Sequence, residues 1–184
     1  MLAMVQMDAT GPGVVVVVIF GVVATRIAEM RLDQQNRDFL AAVGGVEIIE
    51  PVMKRYYLWQ DAVVVLALAE HFLAGTGLNP WLRIFGLVLL GLSTGLRFWV
   101  MSVLGRFWSM RCIFVADAPR VASGPYRFLK HPEYQARTLG VLGLSLFLGS
   151  RWAFFVYLIV AAKYIISIIK IEDRQIREMS RGVL

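Results

Sequence analysis

Long apolar stretches separated by short polar connectors run through this 184-residue chain. A helix needs roughly 20 mostly apolar residues to cross a bilayer. Five stretches approach that length, at about Gly11–Met30, Tyr57–Gly75, Trp81–Leu104, Tyr134–Gly149 and Trp152–Ile171. No barrel-like alternation appears, and backbone groups in lipid must hydrogen-bond within their own segment, so these stretches predict helices. The pattern therefore predicts an all-α, polytopic membrane protein with about five transmembrane helices.

Composition supports one membrane domain that covers residues 1–184. Hydrophobic residues make up 58% of the chain and charged residues 17%, whereas soluble domains hold about 45–50% and about 25%. Residues 1–104 would form a part with three spans. Residues 105–184 would hold a polar loop, a helical hairpin and a C-terminal helix. The first stretch lacks a basic leader and runs into charged, helix-compatible sequence, so we interpret it as a retained span.

The formal net charge of +6 is distributed by topology. Basic residues cluster between the first and second spans, between the third and fourth, and after the fifth. The other two connectors carry Arg83 and Arg151. The positive-inside rule then places the N-terminus outside and the three basic segments in the cytoplasm, as expected in a bacterial inner membrane. The basic balance indicates topology, and no nucleic-acid partner is expected.

Cysteine and histidine are too scarce for a metal site. Cys112 is the sole cysteine, and His71 and His131 are the two histidines. A single cysteine excludes an intrachain disulfide and a cysteine cluster. Two distant histidines do not make a histidine-built metal site. No metal is therefore predicted.

The connector between the third and fourth spans carries more chemistry than a turn requires. Breaks at Ala118-Pro119 and Ser123-Gly124-Pro125 leave extended backbone between them. Pro132 suits the first turn of a new helix, whose unpaired amides attract negative charge. That helix start, flanked by His131 and two tyrosines, would suit a carboxylate-bearing ligand that stacks on aromatic rings. From spacing alone, an ordinary loop with a proline-started helix is an equal alternative.

The pattern Gly124-Pro125-Tyr126-x4-His131-Pro132-x-Tyr134, followed by a hairpin and Glu172-Asp173, resembles the signature of a known family. It is similar to the C-terminal part of the isoprenylcysteine carboxyl methyltransferases, which are membrane enzymes. The resemblance implies a methyltransferase that uses S-adenosylmethionine, releases S-adenosylhomocysteine and binds the cofactor on its cytoplasmic loop. It implies cofactor contacts at these positions: Pro119, Arg120, Val121, Gly124, Tyr126, His131, Pro132, Glu133, Tyr134 and Glu172. It assigns no catalytic residue.

The N-terminal half indicates the acceptor. Arg26–Met30, Asn36, Gly44–Glu47 and Leu104–Trp108 resemble the bacterial branch encoded beside type III polyketide synthases. That resemblance implies O-methylation of alkylresorcinols or alkylpyrones, or of another isoprenoid or lipid, which would enter from the bilayer. Family members that methylate a carboxylate place an arginine one turn before the glutamate, and this chain has Ile168 there. The expected acceptor is therefore a hydroxyl.

Three alternative functions stay open. They are carboxyl methylation of a prenylcysteine-like lipid, an NADPH-dependent enzyme similar to the membrane sterol reductases, and a non-catalytic scaffold among membrane lipids. The oligomeric state is also open.

Several ionisable residues also have open roles. Arg97, Arg137 and Lys163 lie within predicted spans, and Lys163 has Asp61 or Glu70 as candidate partners. His131 and Arg111 are candidates for steering the acceptor oxygen. Glu29 and Asn36 would either enter a substrate cleft or form a capping network.

Overall fold

A computed structural model describes residues 11–47, 51–74, 79–111, 113–116, 118 and 121–179, with backbone alone for 51–54, 172–173 and 175–179. Five helices dominate it, joined at one point by an antiparallel pair of two-residue strands. Short 3₁₀ turns span Gly105–Phe107 and Gly124–Arg127. The elements in order are α1 (Pro12–Ala42), β1 (Val46–Glu47), α2 (Pro51–Ala74), α3 (Pro80–Leu104), β2 (Ile113–Phe114), α4 (Pro132–Leu148) and α5 (Arg151–Met179).

The all-α, polytopic prediction is confirmed. In the described part of the chain, four helices are long and apolar enough to cross a membrane: Pro12–Ala42, Arg55–Ala74, Pro80–Phe107 and Arg151–Ile171. The remaining predicted span, the fourth in chain order, corresponds to α4, which has 17 residues. At 1.5 Å per residue it covers about 25 Å, short of the roughly 30 Å hydrocarbon layer. Most of α4 is buried among its neighbours, so protein surrounds it more than lipid.

The first helix is longer than the apolar pattern predicts, because it continues to Ala42 instead of ending near Met30. The residues beyond Met30 are mostly polar, yet Asp33, Asn36 and Leu40 are buried. Tertiary contacts therefore extend α1 past its apolar segment. We call the end of the bundle that holds this extension and the described residues between 105 and 131 the loop end.

Small residues bring α3 and α4 close together. A Cβ on Gly86 would lie 2.5 Å from the amide nitrogen of Phe147 and 2.7 Å from the carbonyl oxygen of Gly143. One on Gly143 would lie 2.7 Å from the amide nitrogen of Leu90. Ser93 donates its hydroxyl to the carbonyl of Ala136 at 2.7 Å. Small residues and interhelical hydrogen bonds stabilise helix pairs in membranes, where apolar burial drives little association. This pair forms the rigid centre of the bundle.

Polar side chains fasten the end of the bundle opposite the loop end. Arg83 donates to the carbonyl oxygen of Phe147 at 2.9 Å, and His71 contacts that of Leu148 at 2.6 Å. Glu70 accepts hydrogen bonds from the amides of Arg151, Trp152 and Ala153, which start α5. These contacts satisfy helix-end groups that the membrane interface would otherwise leave unpaired.

Candidate functional site

Two buried polar residues of α1 hold the start of the connector at the loop end. Asn36 donates through Nδ2 to the carbonyl oxygens of Gly105 at 3.2 Å and Trp108 at 2.8 Å. Asp33 accepts from the hydroxyl of Ser109 and from the amide of Met110. Asn36 therefore belongs to a capping network, which was one of its two predicted roles.

The middle of the connector lies against the end of α3. Gly124 has φ +58°, and a Cβ there would lie 2.5 Å from Val103 and 3.2 Å from the indole nitrogen of Trp99. Glycine is needed on both counts, because other residues are strained at positive φ. Tyr126 follows in the 3₁₀ turn and packs against the buried cluster of Val100, Met101 and Trp108. The loop is thereby fixed at its glycine and at its first tyrosine.

The sequence pattern at the start of α4 forms the predicted helix cap. His131 occupies the N-cap position, and the buried Pro132 follows in the first turn. The rings of His131 and Tyr134 have centroids 6.1 Å apart. Tyr134 is buried and packs with Tyr56 and Ile168. The first turn of α4 therefore contacts α5.

The predicted cofactor positions are only partly described. Pro119 and Arg120 lie outside the described residues, and so does the side chain of Glu172. The backbone of Glu172 continues α5 one turn after Ile168, and residues four apart share a helix face. Val121 is half-buried in the connector. The described parts of Gly124, Tyr126, His131, Pro132 and Tyr134 thus occupy one end of the bundle, and Tyr134 contacts the face of α5 that carries position 172.

Glu133 differs from its neighbours because its side chain joins a buried charge cluster. Its carboxylate pairs with Arg137 one turn later, at 2.7 Å, and lies 4.0 Å from Arg97. Arg97 in turn donates to Glu29 of α1 at 2.5 Å, and Arg26 lies 3.8 Å from the same oxygen. Glu29 and Arg137 are each 2% exposed. Opposite charges from α1, α3 and α4 therefore meet inside the bundle.

This cluster closes one end of a cavity of about 280 Å³. Glu29, Arg97, Arg137, Gln60 and Asp61 supply its polar wall. The rest is mainly apolar and includes Val22, Val23, Ile27, Val64, Leu90, Val141 and Leu144. Four helices contribute, so the cavity lies between α1 and the group formed by α2, α3 and α4. Its polar wall adjoins the first turns of α4, through the pair of Arg137 with Glu133.

Sequence reasoning left the roles of Arg97 and Arg137 open and offered a substrate cleft only as one of two alternatives for Glu29, which lines this cavity. The available signal was the presence of ionisable residues in apolar segments, where they are usually paired and functional. The four-residue step from Glu133 to Arg137 also predicts a helical ion pair. The contact of Glu29 with Arg97 joins residues 68 apart and has no local signature.

Other candidate residues lie away from this site. Arg111, a candidate for steering the acceptor, donates to both oxygens of Glu47 at 2.8 and 2.9 Å beside the strand pair. Lys163 is exposed on α5, whereas its suggested partners Asp61 and Glu70 line the cavity and cap α5. Among the described residues, no group of three metal-binding side chains is placed to hold an ion.

Comparison with known proteins identifies relatives of this arrangement. The sequence profile of the family described as phospholipid methyltransferase matches residues 81–179. An uncharacterized protein of Bacillus subtilis, YpbQ, is 26% identical over 159 residues, which cover 86% of this chain and 94% of that protein. No solved structure matches the chain. The profile covers α3, the connector, α4 and α5, whereas α1 and α2 precede it.

Proposed function

Because this chain belongs to the phospholipid methyltransferase family, we propose that it is a membrane-embedded methyltransferase that uses S-adenosylmethionine. We place its cofactor site at the loop end and its acceptor within the bilayer. The positive-inside rule, applied to the cations of the connectors, supports a cytoplasmic location for that end.

One observation carries the cofactor assignment: the first turn of α4 lies against α5. Tyr134 packs on Ile168, and position 172 follows one turn later on the same face. A helix start offers amide donors, which suit a carboxylate. A glutamate at position 172 would suit an ammonium group. S-adenosylmethionine carries both groups, so the donor set fits it.

Each part of the loop would hold a different part of the cofactor. The backbone near Val121 and the ring of Tyr126 would bind the adenosine portion. His131, Pro132 and the first-turn N–H groups of Glu133 and Tyr134 would contact the ribose or the amino-acid end, with Glu172 on the ammonium. When bound, S-adenosylmethionine supplies an electrophilic methyl group. The chain's own contribution is to orient and shield it, and positioning alone can supply roughly 7–11 kcal/mol of barrier reduction.

We propose a hydroxyl of a long-tailed phenol or enol, of the alkylresorcinol or alkylpyrone type, as the acceptor. Ile168 is 1% exposed in the core, so that position offers no cation to a substrate carboxylate. Arg97 and Arg137 are near the cavity, but Glu29 and Glu133 already compensate their charges. An additional carboxylate, from a substrate, would upset this balance, whereas a neutral head group would not.

Calorimetry in detergent tests the cofactor site, with S-adenosylhomocysteine as the ligand. Loss of a hydrogen bond to a charged group costs about 1.5–3 kcal/mol, so His131→Ala and Glu172→Ala should each weaken binding roughly 10- to 150-fold. The matched controls are Phe128→Ala and Lys170→Ala. Phe128 is a loop residue that is 73% exposed, and Lys170 is an exposed residue two positions before Glu172. Unchanged affinity in both site variants would contradict the assignment. Binding of NADPH in place of S-adenosylhomocysteine would favour a reductase.

A methylation assay tests the acceptor. Purified protein should methylate an alkylresorcinol or alkylpyrone faster than a prenylcysteine. The opposite preference would point to the carboxylate alternative. Binding of S-adenosylhomocysteine without methylation of any of the three would point to a different lipid acceptor.

A further inference from the structure

The cavity between α1 and the other helices contains buried polar atoms with no hydrogen-bond partner. Among the described residues, none pairs with Glu29 Oε1, Gln60 Oε1, Arg97 Nε or Arg137 Nη1. All four residues line the cavity. Leaving one buried polar group unsatisfied costs about 1–3 kcal/mol. Four in one wall indicate that the cavity receives a polar group.

The unpaired atoms define the chemistry of that group. Two are carbonyl-type acceptors, on Glu29 and Gln60, and two are donors, on Arg97 and Arg137. In a head group with two oxygens, each hydroxyl can donate to one of these acceptors, and both oxygens can accept from the arginines.

The size and the remaining walls define the rest of the ligand. A cavity of about 150 Å³ holds a benzene ring, so 280 Å³ holds an aromatic head and the first carbons of a tail. Val23 and Ile27 line the cavity and are also 49% and 46% exposed on the outer surface of α1. In a membrane that surface faces lipid, so the cavity adjoins the bilayer along α1.

We infer that this cavity is the acceptor site and that Glu29 is its catalytic base; the inference rests on the proposed function. The hydroxyl of the phenol or enol gives its proton to Glu29. Its oxygen then forms the bond to the methyl carbon, and the electron pair of the broken carbon–sulfur bond stays on sulfur, whose positive charge is cancelled. Arg97 and Arg137 stabilise the negative charge that develops on the oxygen.

The location supports this assignment. Arg137, in the cavity wall, is paired with Glu133, which lies in the first turn of α4 between Pro132 and Tyr134. That turn belongs to the proposed cofactor site. Acceptor and methyl donor would therefore meet across one turn of α4.

Glu29→Gln keeps the shape of the side chain and removes its basicity. General-base catalysis contributes about 10²–10⁴-fold, so kcat on an alkylresorcinol should fall by at least about 100-fold. Glu29→Asp should retain part of the rate. The loss of kcat in Glu29→Gln, relative to wild type, should shrink as the pH rises toward about 10, where a phenol ionises without a base from the protein. A purely structural role for Glu29 would give a deficit that does not change with pH.

Binding measurements separate this inference from the proposed function. Affinity for S-adenosylhomocysteine, measured by calorimetry, should stay within about threefold of wild type in Glu29→Gln. If wild type binds that ligand and methylates the alkylresorcinol, but Glu29→Gln is equally fast, the inference alone fails. If wild type does not bind it, the proposed function fails.

Filling the cavity tests its occupant directly. Val22→Phe should weaken alkylresorcinol binding about 10- to 100-fold, because the aromatic ring of the ligand can no longer be buried in the cavity. Tryptophan fluorescence measures this binding. Val17→Phe is the control, since Val17 is 70% exposed on the same helix. Val64→Phe fills the cavity from α2 if Val22→Phe does not fold, with retained S-adenosylhomocysteine binding as the sign of folding. Unchanged alkylresorcinol binding in a folded cavity variant would overturn the site.

Discussion

The family-matched half of the chain, residues 81–179, and the first helix contribute to the same site by different means. The matched half holds the loop, and its α3 and α4 approach each other at Gly86 and Gly143, where an added Cβ would meet backbone atoms of the other helix. In contrast, α1 packs on the core through Val15 and adds single polar side chains, Glu29, Asp33 and Asn36, that reach distant partners.

This difference indicates which part of the protein can change acceptor specificity. Backbone contact between α3 and α4 tolerates little change, so the helix whose first turn would bind a common cofactor is held firmly at its other end. The α1 side of the cavity is mostly side chain, so its size and polarity can change without altering the loop. We therefore expect the cofactor site to depend on the matched half and acceptor choice to depend on α1.

The largest effect is expected where the two regions join, at Arg97 and Glu29. Arg97→Ala leaves a carboxylate that is 2% exposed without its 2.5 Å partner. Breaking a buried pair costs about 3–5 kcal/mol, which unfolding in detergent would measure. Arg26→Ala is the control, because that side chain is 34% exposed and lies 3.8 Å away. Its loss should cost less than about 1 kcal/mol.

A double variant separates stability from function at this junction. Replacing Arg97 and Glu29 together by leucine removes both buried charges, and such replacements are often neutral or stabilising. The double variant should therefore regain most of the stability lost in Arg97→Ala and remain inactive. Equal losses for Arg97→Ala and Arg26→Ala would show that α1 is not held by this pair.

The next effect tests the rigidity of the matched half. Gly143→Ala places a Cβ 2.7 Å from the amide nitrogen of Leu90, so α3 and α4 must separate. Overpacking of this kind costs about 1–3 kcal/mol, and the thermal midpoint should fall accordingly. Gly21→Ala in α1 is the matched control, since nothing lies within 4 Å of its added Cβ. It should be neutral or stabilising by up to about 1 kcal/mol. Similar losses in both variants would remove the contrast between the two regions.

Sequence reasoning predicted the helices and the loop because their signals are local. Apolar length predicted the spans, and proline after His131 predicted the start of α4. The extension of α1 was missed because residues 31–38 are mostly polar and become helical through buried contacts such as that of Asn36 with Trp108, 72 residues away. The location of the cavity was missed for the same reason. Its polar wall needs Glu29 and Arg97, and no periodicity relates residues on separate helices.

A smaller effect is expected at the capping network between α1 and the connector. Asn36→Ala leaves the carbonyl oxygens of Gly105 and Trp108 without their side-chain donor, at a cost of about 1–3 kcal/mol. Amide hydrogen exchange should rise in the connector after α3 and remain slow in α4. Gln35→Ala, at an exposed neighbouring position, should leave amide exchange unchanged in both the connector and α4. Slow exchange in the connector of Asn36→Ala would mean that the matched half positions its own loop.

The smallest effect is expected at the ion pair of Glu47 with Arg111, which also joins the two regions. Nη1 of Arg111 donates to both carboxylate oxygens of Glu47, with both distances under 3 Å, yet the side chains of Glu47 and Arg111 are 36% and 48% exposed. Solvent screens such pairs, so Glu47→Gln should cost at most about 1 kcal/mol at low salt. That difference should vanish near 1 M salt, where the screening length is about 3 Å. A loss comparable to that of Arg97→Ala would mean that the strand pair, and not the buried charge cluster, fastens α1 to the rest of the bundle.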